Sequence, residues 1–169
     1  MRPGASFMER FDGWFVKPIE KLKELPEGDG GFLALSAALF LCERYYRTLT
    51  NTQDLRNEKP FKKEAAKDLG LELEDFNRFW HVYRDGIQHQ GMPRRFVDDK
   101  NNVTYGWNMD GRFSAIPTIY AVGAQRQEIR LNPWKFAELM ISKFRDHPSI
   151  LENATLHAFG EVRDAKPGE

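Results

Sequence analysis

A single cysteine, Cys42, is all the thiol chemistry in this sequence of 169 residues. One cysteine excludes an intramolecular disulfide and a cysteine-based zinc site. Cys42 lies in an apolar run, where it is expected to act as a small buried hydrophobe in a reducing compartment. Charge of one sign is also lacking: 25 Lys and Arg face 25 Asp and Glu, for a formal net charge of zero. That balance excludes the global basic footprint of a protein that coats nucleic acid, so any contact with a polyanion has to be local. Long hydrophobic runs are missing as well. The longest, Gly31 to Cys42, is interrupted by Ser36 and is too short to span a bilayer. Met1 to Ser6 has no apolar stretch of the signal-peptide kind. The expectation is a cytoplasmic protein with no membrane segment.

Several catalytic arrangements are missing too. The histidines are His81, His89, His147 and His157, and no two have the four-residue spacing that sets two ligands on one helix face. Gly28-Asp29-Gly30-Gly31 precedes an apolar segment, but no strand pattern comes before it and no Lys-Ser/Thr follows, so it reads as a loop rather than a phosphate cradle. No Gly-x-Ser-x-Gly elbow occurs. Neither a metal nor a cofactor is expected.

What is present is core material. Thirteen Phe, five Tyr and four Trp, with 41% hydrophobic residues overall, suit one globular domain over residues 1–169. Phe7, Phe11, Trp14, Phe15, Ile19 and Leu22 recur at helical spacing, with Pro18 as a kink or restart. Phe32 to Thr48 is apolar almost all round in its first three turns, which places a helix inside a bundle. Glu43 and Arg44 follow that run and mark the point where it emerges toward solvent. Pro60 to Leu69 reads as a short helix closed by Gly70. Leu73, Phe76, Trp80, Tyr83 and Ile87 form a core-facing stripe on a helix that Gly91 and Pro93 end. The period then changes. Segments 103–107, 116–122 and 127–131 look extended, with Gly123-Ala124 as a tight turn, and a small antiparallel hairpin or three-stranded flap is expected over 103–131. Asn132-Pro133 starts a helix to about Phe144. Residues 148–159 read as a further short helix, His157 as a surface residue, and 163–169 as a frayed tail.

The one stretch that suggests chemistry is Tyr83-Arg84-Asp85-Gly86-Ile87-Gln88-His89-Gln90. An imidazole titrates near neutrality and can take or give a proton. A guanidinium can stabilise charge on phosphate oxygens. Together they suit metal-free phosphodiester cleavage. Arg78, Arg94 and Arg95 add local basic charge that could hold phosphates. On an ideal helix Arg84 and His89 lie about 140° apart, so one chain need not bring them together. The same residues also fit a plain helix end, with His89 capping the last carbonyls and Arg84 in a local ion pair.

Arg84, four residues, then His89, with polar Asp85 directly after the arginine, resembles the signature of the HEPN superfamily. The opening Phe11-Asp12-Gly13-Trp14-Phe15-Val16-Lys17-Pro18-Ile19 and the apolar helix from Gly31 are similar to bacterial HEPN-like proteins of uncharacterised function. The likeness covers residues 7–92. It implies a mainly α fold, a four- to five-helix bundle, to which the residue pattern adds the small antiparallel β-hairpin inserted before the C-terminal helices. It also implies a homodimer whose two protomers build one cleft, and a metal-independent endoribonuclease that acts on RNA, with a cognate antitoxin protein as a further partner. Arg84 would stabilise phosphate charge, His89 would act as general base or acid, and Asp85 would orient one of them. A non-catalytic dimeric binding module for a nucleotide, RNA or protein is the alternative, using Arg94-Arg95-Phe96 or the Trp107 flap.

Overall fold

The computed structural model describes residues 5–54 and 56–152. The chain begins with α1 (Phe7–Phe11), opened by a capping box in which Ser6 and Glu9 exchange side-chain and backbone bonds. A π-helical turn over Asp12–Val16 leads into α2 (Lys17–Leu22). Pro18, which has no N–H to give, falls in the first turn of α2, directly after the π-helical turn. The central helix α3 (Gly31–Leu49) buries Ala34, Leu35, Ala38, Leu39, Leu41 and Cys42. Burial pushes the Cys42 thiol far above its ordinary value, which is the state of an inert core residue. Helix α4 (Lys59–Asp68) follows.

The longest aromatic stripe runs through α5 (Leu73–Phe79), a second π-helical turn (Trp80–Asp85) and α6 (Gly86–Gln90). Phe76, Phe79, Trp80 and Tyr83 are fully buried, while Leu73, at the start of the stripe, is 36% exposed. Gly91 ends α6 at φ 73°, a left-handed conformation that glycine adopts without a Cβ penalty. After the sheet come α7 (Pro133–Asp146), capped by Asn132, and the short α8 (Ser149–Glu152). The rest of the helix expected over 148–159, His157 and the tail 163–169 lie outside the described residues.

The expected helical bundle with a small antiparallel hairpin is corrected by the sheet. Among the described residues there are four strands: β1 (Phe96–Asp98), β2 (Val103–Met109), β3 (Thr118–Gly123) and β4 (Arg126–Leu131). Their order is β1-β2-β4-β3. β1 pairs antiparallel with β2, and β3 antiparallel with β4, but β2 and β4 are parallel, with Tyr105 opposite Gln127 and Trp107 opposite Ile129. The β3–β4 hairpin therefore exists, but as one half of a mixed sheet. The sheet is also a structural layer rather than an insertion. Tyr105, Ile129 and Leu131 are buried in the common core. The Tyr83 hydroxyl donates to the Ile129 carbonyl at 2.7 Å and accepts from the Asn108 N–H at 3.2 Å. One buried phenol thus ties the aromatic helix to the two parallel strands, and burial raises its pKa well above the usual tyrosine value.

Candidate functional site

The π-helical turn places the candidate residues. In such a turn the regular i→i−4 ladder is opened, and here the Val82 carbonyl accepts from the Arg94 N–H at 2.9 Å. The chain after α6 can run back across the helix only because residue 86 is glycine. A Cβ there would stand 2.5 Å from Arg94 N, 2.8 Å from Met92 O and 2.9 Å from Pro93 Cα. All three are backbone atoms, which cannot swing aside. Gly86→Ala is expected to destabilise the fold by about 1–3 kcal/mol, in the range of overpacking, and to push Arg94 out of place. Chemical denaturation of the variant checks the first effect.

Arg94, held this way, lies against His81. Its Nη2 is 2.8 Å from Nε2 and 3.0 Å from Nδ1 of the imidazole, and its Nε donates to the His81 carbonyl at 3.3 Å. A guanidinium only donates, so His81 must offer it a lone pair. Asp85 Oδ2 is 3.4 Å from His81 Nδ1. The assignment that satisfies both neighbours puts the proton on Nδ1, toward Asp85, and the lone pair on Nε2, toward Arg94. Burial, then the charges of Arg94 and Lys62, hold the imidazole below its ordinary pKa, against the opposing pull of Asp85. These surroundings favour the neutral imidazole, and 38% of its side chain is open to solvent.

Asp85 is the hub of a wider network. Its carboxylate is 3.3 Å from Arg84 and 3.8 Å from Arg94. Arg84 in turn donates from Nη2 and Nε to Glu43 Oε2 at 2.7 and 3.2 Å. Glu43 also receives Arg47 Nε at 2.8 Å. Glu43 was expected to mark the point where α3 reaches solvent. Instead its side chain is 13% exposed and bridges two arginines from two helices.

The sequence-predicted residues are thus partly assembled. Arg84, Asp85 and Arg94 lie in one cluster. His89 is exposed on α6, and among the described residues no hydrogen bond or ion pair joins it to Arg84. Arg78 is held by Glu74 and Asp75 at 2.7 Å and by Asp98 at 3.5 Å, and sits over the Tyr105 ring, so its charge is already compensated. Arg95 is exposed and lines a separate pocket with Trp107 and Arg126. Two members of the network, His81 and Glu43, were not singled out from the sequence as site residues. His81-x3-Asp85 and Glu43-x3-Arg47 are helical i,i+4 pairs that stand in the sequence, and that spacing is the signal that could have found them.

Among the described residues no group of three His, Cys, Asp or Glu is gathered as a metal site, and no helix is long and apolar enough to cross a membrane. In comparisons with known proteins, no family model, no curated protein and no solved structure matches the chain.

Proposed function

We propose that this chain is a metal-independent endoribonuclease that cuts RNA at the Arg84-Asp85-x3-His89 segment, in a cleft completed by a second copy. The observation that carries the reading is the Asp85 hub, where one carboxylate gathers Arg84, Arg94 and an imidazole within 3.8 Å. Arg84 and Arg94 would take the charge that develops on the phosphate oxygens, Asp85 would hold them in orientation, and exposed His89 would transfer a proton. Arg95, exposed beside Trp107, offers a phosphate contact outside the cluster. A cytoplasmic setting and a cognate antitoxin protein belong to the same reading.

The surface for the second copy is the outer stripe of α3. Leu33 is 60% and Phe40 51% exposed; they share a helix face, being seven residues apart, and Phe40 lies three residues before Glu43, the partner of Arg84. Exposed apolar side chains aligned along a helix mark an association surface. Phe40→Asp is expected to leave the fold intact, convert a dimer to a monomer in light scattering, and lose RNA cleavage.

One observation favours a binding module without cleavage: the Arg84 guanidinium is already paired with Glu43 at 2.7 Å. The two readings separate in one experiment. Pure protein and single-stranded RNA are incubated with EDTA. Fragments with 2′,3′-cyclic or 3′-phosphate ends are expected. Intact RNA with saturable RNA binding supports the binding module instead.

A further inference from the structure

His81, rather than His89, is the imidazole that the Asp85 carboxylate reaches. Asp85 stands four residues after His81 and four before His89. The first spacing is realised as a 3.4 Å contact; the second runs from the last residue of the π-helical turn to exposed His89 on α6, and among the described residues no ion pair joins Asp85 to His89. His81 opens onto a groove of about 490 Å³ whose rim carries Lys62, Arg78 and Lys100 together with the carboxylates Glu74, Asp98 and Asp99, with Phe96 on its wall. The Phe96 ring meets the imidazole edge to face at 4.6 Å, so the ring is held from the strand side while Arg94 and Asp85 hold its nitrogens.

We propose that His81 is a second proton-transfer residue of the site and the base that activates the RNA 2′-hydroxyl, an inference that rests on the ribonuclease reading above. A base must be unprotonated before the reaction, and burial with the charges of Arg94 and Lys62 moves the His81 pKa in that direction. Its Nε2 lone pair is occupied by Arg94 in the free protein. A substrate phosphate is a stronger acceptor for a guanidinium than a neutral imidazole is. As Arg94 turns to the phosphate, Nε2 is released toward the substrate.

The proton balance is complete with two imidazoles. His81 Nε2 takes the proton of the 2′-hydroxyl, and the 2′-oxygen forms a bond to phosphorus. The bond from phosphorus to the 5′-oxygen breaks, and that oxygen takes a proton from His89 acting as the acid. The products are a 2′,3′-cyclic phosphate and a 5′-hydroxyl. Proton exchange with water then resets both rings. No metal, oxidant or further co-reactant enters the balance.

The test compares wild type, His81→Ala and His81→Asn on one RNA substrate in EDTA, with circular dichroism to show that the variants are folded. His81→Ala is expected to lower kcat by about 10²–10⁴-fold, the span of general acid–base catalysis, with little change in KM. Added free imidazole is expected to restore part of the rate to His81→Ala, which a structural role would not permit. If wild type cuts RNA and both variants keep its kcat, or lose rate only through KM with no rescue by imidazole, this inference is overturned and the ribonuclease reading survives. If wild type cuts no RNA, both fall together.

Discussion

Glu43→Ala is expected to destabilise the protein by about 3–5 kcal/mol, the usual consequence of removing one partner from a buried ion pair. The loss is large because Glu43 serves two cations. Arg47 is 1% exposed; its guanidinium lies over the Phe61 ring at 4.5 Å and donates to the carbonyls of Asp54 and Asn57 at 3.1 and 3.4 Å. Those neutral contacts hold the side chain in place but do not neutralise it. Without Glu43 the buried Arg47 guanidinium loses its 2.8 Å carboxylate, and Arg84 loses its 2.7 Å partner as well. In a chain of this size the midpoint of thermal unfolding would fall by roughly 6–20 °C. Glu43→Gln keeps the shape and one acceptor and is expected to fall between the two. Arg84→Ala is expected to be mild, because Glu43 then still pairs with Arg47. Denaturant unfolding of the three variants orders them; a Glu43→Ala protein as stable as wild type would show that the bridge is not structural.

Arg84→Ala is expected to do its damage in rate rather than stability. Loss of one preorganised donor to a developing oxyanion lowers kcat by about 10²–10³-fold. The same stretch of helix carries Asp85, so the variant leaves the hub, Arg94 and His81 in place. Arg84→Lys is expected to recover little, because a single ammonium cannot reproduce the two-nitrogen fork that Arg84 presents to Glu43 and would present to phosphate. Single-turnover cleavage of a defined RNA, with stability measured on the same preparations, separates the two effects. Equal loss of stability and rate in Arg84→Ala would mean that the residue is structural.

The helices were legible in the sequence because their apolar spacing is long and regular. Phe76, Trp80 and Tyr83 declare one face, and Asn132-Pro133 declares a start that the structure keeps, with Asn132 Oδ1 accepting from Trp134 N and Lys135 N. The sheet was only half legible. Segments 103–107 and 127–131 looked extended, but neighbouring strands are usually joined as hairpins, and nothing local says that β2 runs parallel to β4. That register is set by distant partners, including the Tyr83 hydroxyl between Asn108 and Ile129. β1 is three residues long, Phe96-Val97-Asp98, too short to show a period, and it follows Pro93 and two arginines that read as loop.

The site divides in the same way. Arg84, Asp85 and His89 were visible as a motif because they are close in sequence. Glu43 is 41 residues away from Arg84, and no spacing rule connects them. Arg94 was visible as charge but not as a neighbour of His81. That contact depends on a π-helical turn and on a glycine that lets the chain fold back over it, and both are properties of the packed backbone.

The most direct test of the central claim, that this helix segment is a metal-free RNA-cleaving site, uses a DNA oligonucleotide with one embedded ribonucleotide, incubated with the protein and EDTA. Cleavage on the 3′ side of the single ribose, leaving a 2′,3′-cyclic or 3′-phosphate, is predicted, since that sugar alone has the hydroxyl that attacks. An oligonucleotide left intact by protein that is folded and dimeric, or one cut at deoxyribose positions, would contradict it.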